Sequence, residues 1–252
     1  MVRRFYTSAV SSQAFSDMAD APRKTLALDP VRGVFLGDLA HDLSTPLTAI
    51  HGALELLLAG AYGSLEGEQR ALALEVLASA REMRAIVRDV ADLGALDTGR
   101  LVFEQTRVNL AALLEELRGT IAETGAKRGV TFTLDATRAR PAIDSDERRL
   151  RQILTCLFGY AIKTARRGSH VAVTVAEAGG YLRIEVRATG ITSADPQALL
   201  ADRRDPTPGV PKPYRGPGLG LPLVGRVVHA WGGRASAEMR DDGLAIVTEV
   251  PV

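Results

Sequence analysis

His41, Asp42 and Thr45 are the residues of this chain whose types and spacing could do chemistry. An imidazole titrates near neutrality, so its neutral nitrogen is a competent nucleophile, and a carboxylate beside it sharpens it. That chemistry needs an imidazole that faces water. The apolar positions Leu36, Leu39, Leu43, Leu47, Ile50, Leu54 and Leu57 step by three and four, which predicts an amphipathic helix over residues 35–58. At about 100° per residue, His41 falls roughly 165° from the centre of that stripe, and Thr45 lies one turn further along the same outer face. Pro46 cannot donate its N–H to the Asp42 carbonyl, so the helix should bend in the turn that carries His41. On the residue types alone, a surface histidine on a helix that happens to contain proline accounts for the cluster equally well.

A second stretch with chemical potential is Gly216-Pro217-Gly218-Leu219-Gly220-Leu221, which opens a helix expected over 219–230. Backbone N–H groups freed by glycines at a helix N-terminus can cradle a phosphate. The same glycines would serve a hinge that holds no ligand.

These residues need elements to position them. After the His41 helix, turn-type residues at 61–67 precede a second helix, with Ser64 as the expected N-cap and Glu66 and Glu68 in its first turn. That helix carries Leu72, Val76, Ser79, Met83, Ile86, Val90 and Leu93 in 4-3-4-3 alternation. Two antiparallel helices cannot cover apolar seams of this length, so a four-helix bundle made by two chains is expected; the alternative is a helical domain capped by the C-terminal part. From residue 101 short apolar runs alternate with helices. Strands are expected at 101–108, 130–134, 142–143, 170–176, 181–187, 234–238 and 244–251, and helices at 110–124, 147–166 (capped by Asp146) and 219–230. Residues 190–217, rich in proline, glycine and charge, read as a long mobile loop, and residues 1–28 as a loose lead-in. Mixed strands with helices on one face make an α/β sandwich. The expected division is 1–28 lead-in, 29–98 helical hairpin and 101–252 sandwich.

Composition narrows the partners. Thirty-one basic residues against 30 acidic ones argue against nucleic acid or a membrane surface. No run reaches the roughly 18 apolar residues of a membrane-spanning helix, and residues 1–20 lack the apolar core of a signal peptide, so a cytoplasmic protein is expected. The single cysteine, Cys156, excludes an internal disulfide, and the four histidines have no partners at ligand spacing, so no metal site is expected.

His41-Asp42-Leu43-Ser44-Thr45-Pro46-Leu47 resembles the H box of dimeric sensor histidine kinases: His, an acid, two variable residues, Thr or Asn, then Pro-Leu. The resemblance implies that His41 is the phosphoacceptor, Asp42 a base or orienting acid, and Thr45 the residue that helps water attack a response regulator's acyl phosphate. It also makes residues 29–98 the dimerisation and phosphoacceptor hairpin. Residues 101–252 resemble the family's Bergerat-type ATP-binding domain, which places Lys163, Gly190, Gly216, Gly218 and Gly220 in a residual nucleotide site. The departures are specific. The family has asparagines where this chain has Cys156 and Tyr160, and the second of them ligates Mg²⁺; a tyrosine is a poor Mg²⁺ ligand. Ala188 stands where the family has the aspartate that accepts from the adenine amino group, so that donor would be left unpaired at a cost of about 1–3 kcal/mol.

The resemblance thus implies a kinase-derived phosphotransfer protein. His41 would pass phosphoryl groups to or from response-regulator receiver domains, the receiver supplying Mg²⁺ and acyl phosphate, with no cofactor of its own and no ATP-driven autophosphorylation. If the chain is complete, its input comes from an upstream kinase or sensor protein. Two alternatives stay open: an active cytoplasmic histidine kinase using ATP and Mg²⁺ in a divergent pocket, and a receiver-binding scaffold or response-regulator phosphatase that depends on Thr45.

Overall fold

The computed structural model describes residues 29–191, 193, 195–201 and 220–252. The expected lead-in at 1–28, and Gly216 and Gly218, lie outside the described residues.

Two long helices come first. α1 (Pro30–Leu58) starts at Asp29, whose side chain accepts from the Arg32 amide, with Pro30 at the first helical position where its missing N–H costs nothing. It continues through Pro46. α2 (Gly67–Asp97) begins later than the expected cap at Ser64: Glu66 is the N-cap and makes no side-chain cap bond. In the antiparallel hairpin, the seam differs from the apolar stripes read in the sequence. Gly33, Ala40 and Leu47 of α1 and Ala73, Leu77, Ala80, Val87 and Gly94 of α2 are buried, while Leu96, also buried, joins the sandwich core. Most of them repeat every seven residues, and small side chains at a helix contact permit short interaxial distances. The large residues of the expected stripes are displaced sideways and stay exposed: Leu39, Leu43, Ile50 and Leu57 on α1, and Leu72, Val76, Met83 and Ile86 on α2.

The approach is closest at the base of the hairpin. A Cβ on Gly94 would lie 2.7 Å from the Gly33 carbonyl oxygen and 3.0 Å from the Gly37 nitrogen. Alanine normally stabilises a helix interior by about 1 kcal/mol over glycine. Here the sign should reverse: Gly94→Ala is expected to lower stability by about 1–3 kcal/mol through overpacking, whereas Gly119→Ala, where an added Cβ meets nothing within 4 Å, should raise it. Urea unfolding of the two variants beside the parent checks both signs.

The rest of the chain is the sandwich: β1 (Thr106–Val108), α3 (Leu110–Arg128), β2 (Thr131–Arg138), β3 (Ile143–Ser145), α4 (Glu147–Thr164), β4 (His170–Ala178), β5 (Tyr181–Thr189), α5 (Gly220–Ala230), β6 (Arg234–Arg240) and β7 (Gly243–Pro251). The main sheet runs β2-β4-β5-β7-β6, with β2 and β4 parallel and the other neighbours antiparallel; β1 and β3 form a separate antiparallel pair. Alternation along β4 and β5 turns Val171, Val173, Leu182 and Ile184 toward the helices, where they share one core with Leu244 and Ile246 of β7, a strand buried continuously over residues 243–248. The opposite face carries cross-strand ion pairs such as Arg183–Glu249 and Arg240–Glu185.

Two expectations need correction. The strand expected over 101–108 is limited to 106–108; Leu101 and Phe103 instead pack on the sandwich, Phe103 stacked on Trp231 at 5.0 Å between centroids. Within the expected loop 190–217, Gln197–Leu199 form a 3-10 turn. Asp146 does cap α4: its carboxylate accepts from the Arg149 amide and, across the linker, from the Glu104 amide.

The hairpin and the sandwich meet through buried charge. Asp92 of α2 binds Arg149 at 2.6 Å and accepts from Gln152 at 2.8 Å, both on α4. Asp97, the last residue of α2, is fully buried between Arg32 of α1 and Arg226 of α5, each at 2.6 Å. Burial acts to raise the Asp97 pKa, but the two guanidiniums outweigh it and hold the carboxyl below its ordinary value. No helix among the described residues is long and apolar enough to cross a membrane.

Candidate functional site

The helical geometry puts His41 and Asp42 fully on the outside of α1, their side chains 83% and 81% exposed. Their contact is local: His41 Nδ1 lies 3.4 Å from Asp42 Oδ1. A proton kept on Nδ1 by that carboxylate leaves Nε2 as the bare nitrogen, which is the arrangement an imidazole nucleophile needs. One turn on, the hydroxyls of Ser44 and Thr48 are committed to backbone, donating to the carbonyls of Ala40 and Ser44 at 2.7 and 2.8 Å. The Thr45 hydroxyl, on the exposed face between them, makes no hydrogen bond among the described residues. Beside this turn a small cavity of about 140 Å³ is lined by Ser44, Leu47, Thr48, Arg84, Val87 and Arg88.

The residues expected to hold a nucleotide divide. Lys163 and Gly220 come together on one cavity of about 600 Å³, at the junction of α2, α3, α4 and α5. Gly190 does not line it. It ends β5 at φ +72°, its amide facing the Asp242 carbonyl at 3.4 Å, and an added Cβ would lie 2.9 Å from Ser169 Oγ. That places Gly190 in a structural turn that left-handed backbone requires.

The positions where the resemblance expects metal and base recognition are occupied by different chemistry. Cys156 lines the large cavity, and burial, with a smaller push from the Asp89 carboxylate, drives its thiol up to about 12. It is therefore a neutral thiol at pH 7, neither a hard oxygen ligand nor a nucleophile. Tyr160 is 8% exposed within the sandwich core, where burial raises its phenol pKa. Ala188 is buried in β5 opposite Val171 and Leu244 and offers no acceptor side chain. Among the described residues no cluster of His, Cys, Asp and Glu is placed to hold a metal ion.

Sequence reasoning missed that α2 supplies one wall of the large cavity, through Ala85, Arg88, Asp89 and Asp92. It also missed the charges that hold α2 there. The available signal was two aspartates, Asp92 and Asp97, inside an otherwise apolar helix end.

Comparison with known proteins gives two family matches. Residues 31–99 match the profile described as His Kinase A (phospho-acceptor) domain, and residues 145–252 that described as histidine kinase-, DNA gyrase B-, and HSP90-like ATPase. A sensor-like histidine kinase of Rhizobium meliloti (strain 1021), itself uncharacterized, is 32% identical over 227 residues. That alignment covers 86% of this chain and 42% of the relative, so the chain spans less than half of it. Among solved structures, full-length ShkA in complex with AMPPNP matches with a TM-score of 0.64 at 26% identity, over 86% of this chain and 45% of that one. ThkA in complex with the response regulator protein TrrA matches with a TM-score of 0.50 at 19% identity, over 85% and 60% of the two chains, and shares the fold.

Proposed function

Because the chain belongs to the histidine kinase family of two-component signalling proteins, we propose that it carries phosphoryl groups on His41 between receiver domains and does not load His41 from its own ATP. Nε2 attacks the phosphorus of a receiver's aspartyl phosphate, the P–N bond forms as the P–O bond breaks, and the receiver's carboxylate leaves with the electron pair. Asp42 keeps the proton on Nδ1 and balances the charge that develops on the ring. The reverse step delivers the group to the next receiver. In this division of labour, residues 29–98 present the histidine and residues 101–252 help to hold the receiver. A second copy of the chain covers the exposed Leu39, Leu43, Ile50 and Met83 face, making a homodimer.

The observation that carries the reading is Tyr160. It is a buried phenol in the sandwich core at the position where the resembled family binds Mg²⁺ through an asparagine. Phosphoryl transfer from ATP depends on Mg²⁺ and positioned donors. With Cys156 neutral and Ala188 without an acceptor, the residues present do not fit Mg²⁺ and adenine.

The rival reading, an active kinase with a divergent pocket, draws on the placing of Lys163 and Gly220 on one large cavity and on the AMPPNP complex of ShkA. Calorimetric titration with ATP and Mg²⁺, beside an intact histidine kinase as positive control, separates the two. The carrier predicts no saturable heat, and phosphate label on the protein only when a phosphorylated receiver is added. Micromolar ATP binding followed by label from γ-labelled ATP would establish the kinase reading instead.

A further inference from the structure

The large cavity has a composition of its own. Leu223, Val224 and Val227 of α5 and Ile121 of α3 give it apolar walls, and the helix position of Gly159 leaves room on α4, since an added Cβ there meets nothing within 4 Å. Its volume of about 600 Å³ falls inside the range of about 300–1,000 Å³ common for small-molecule sites. Charge on its lining is unbalanced, with Arg88, Arg148, Arg151 and Lys163 against Asp89 and Asp92. Both carboxylates are already engaged, Asp89 by Gln152 and Asp92 by Gln152 and Arg149. Arg151 is held by Glu116 and Glu147, and Arg148 stands 3.8 Å from Asp92. Arg88 makes no ion pair or hydrogen bond among the described residues, and it lines both this cavity and the small one beside Ser44 and Thr48.

We propose that the cleft between α2 and the sandwich binds an amphipathic monoanion, an unbranched apolar chain ending in a carboxylate. The chain lies along Leu223, Val224 and Val227, and the carboxylate pairs with Arg88. The apolar walls suit the chain and the Arg88 guanidinium its carboxylate, whereas a polyanion would also meet Asp89 and Asp92. Because the cleft has one wall from the hairpin and three from the sandwich, an occupant stabilises their juxtaposition by mass action. The inference rests on the reading that this cavity does not take ATP.

The test uses the full chain and titrates octanoate, decanoate and dodecanoate by calorimetry, each alone and in the presence of ATP and Mg²⁺. Expected is saturable binding that strengthens about two- to fourfold per added methylene. Gly159→Leu, which fills the cavity from an uncrowded position, should abolish it. Arg88→Ala, an exposed change that leaves folding intact, should weaken it about tenfold, the equivalent of one charged hydrogen bond. Circular dichroism confirms that both variants are folded. Equal binding by wild type and either variant, or affinity independent of chain length, overturns the assignment. Absence of heat with both the fatty acids and ATP overturns it while the carrier reading stands. Heat with ATP alone overturns both.

Discussion

Replacing His41 by alanine is expected to abolish transfer of phosphate label from a receiver to this protein, a loss limited only by detection. The side chain is 83% exposed and its one polar contact among the described residues is with the neighbouring Asp42, so no described part of the hairpin depends on it. Helical content should match the parent and the unfolding free energy should stay within about 0.5 kcal/mol of it, the usual range for surface substitutions. Asp42→Asn is milder: it removes the charge that holds the Nδ1 proton but keeps an acceptor, so transfer should slow by about 10²-fold, the lower end of a general-base contribution. Thr45→Ala separates the carrier from a receiver phosphatase. In a carrier the label on His41 survives this change, because the nucleophile is untouched. In a phosphatase, loss of the uncommitted Thr45 hydroxyl ends dephosphorylation of the receiver while His41→Ala leaves output intact. Label passing from a receiver to the His41→Ala protein would remove His41 from the reaction altogether.

The parts of this molecule legible in its sequence are those set by local periodicity. His41 is outside, as its distance from the apolar stripe suggests, although only Leu47 of that stripe is buried and the seam runs through Gly33, Ala40 and Leu47. The sandwich strands appear because β4 and β5 alternate and β7 is a short apolar run, and their ends shift by only a few residues where pairing with a neighbour extends them, as β2 does to Arg138 beside Ala176. The hairpin seam was not legible. Hydrophobic patterns select large side chains, while the closest helix approach selects small ones, so Gly33, Ala40, Ala73, Ala80 and Gly94 passed as filler. The same large residues, turned aside by that seam, are the exposed face that suits a second chain. The buried charges were not legible for a related reason. Arg149 and Arg226 look like solvated helix residues until the partners appear, and Asp97 lies 129 residues from Arg226. No pattern of period 2 or 3.6 encodes a contact of that separation. Likewise the cavity that gathers Lys163 and Gly220 needs α2 for a wall, and a reading of the sandwich alone supplies none.

Substitution of Asp97 should carry the largest stability cost in the chain. Its carboxylate is the shared partner of two guanidiniums from different elements: Arg32 donates from Nε and Nη2 to Oδ2, and Arg226 from Nη2 to Oδ1. Arg32 is about one-third exposed and can turn to water, but Arg226 is 3% exposed and cannot. Asp97→Ala therefore leaves a buried cation without the carboxylate that faces it, and breaking such a pair costs about 3–5 kcal/mol. Against a typical total of about 5–15 kcal/mol, that is a large fraction of stability. Arg32→Met should cost less, about 1 kcal/mol, as an outer ion pair does. Urea unfolding at pH 7 measures both. Proton linkage supplies an independent check with a fixed sign. The folded-state pKa of Asp97 lies below the ordinary carboxylate value of 3.8, so the unfolded chain takes up this proton first as pH falls. The contribution of the ionised carboxylate is fully present above that ordinary value and is lost as pH drops through the folded-state value. The stability gap between the parent and Asp97→Asn should accordingly stay level from pH 7 to about pH 5 and narrow below the ordinary carboxylate value. A gap that instead closes between pH 7 and pH 5 would assign the stabilisation to another titrating group. A double variant, Asp97→Leu with Arg226→Met, should recover much of the loss, since it removes both members of this buried pair together.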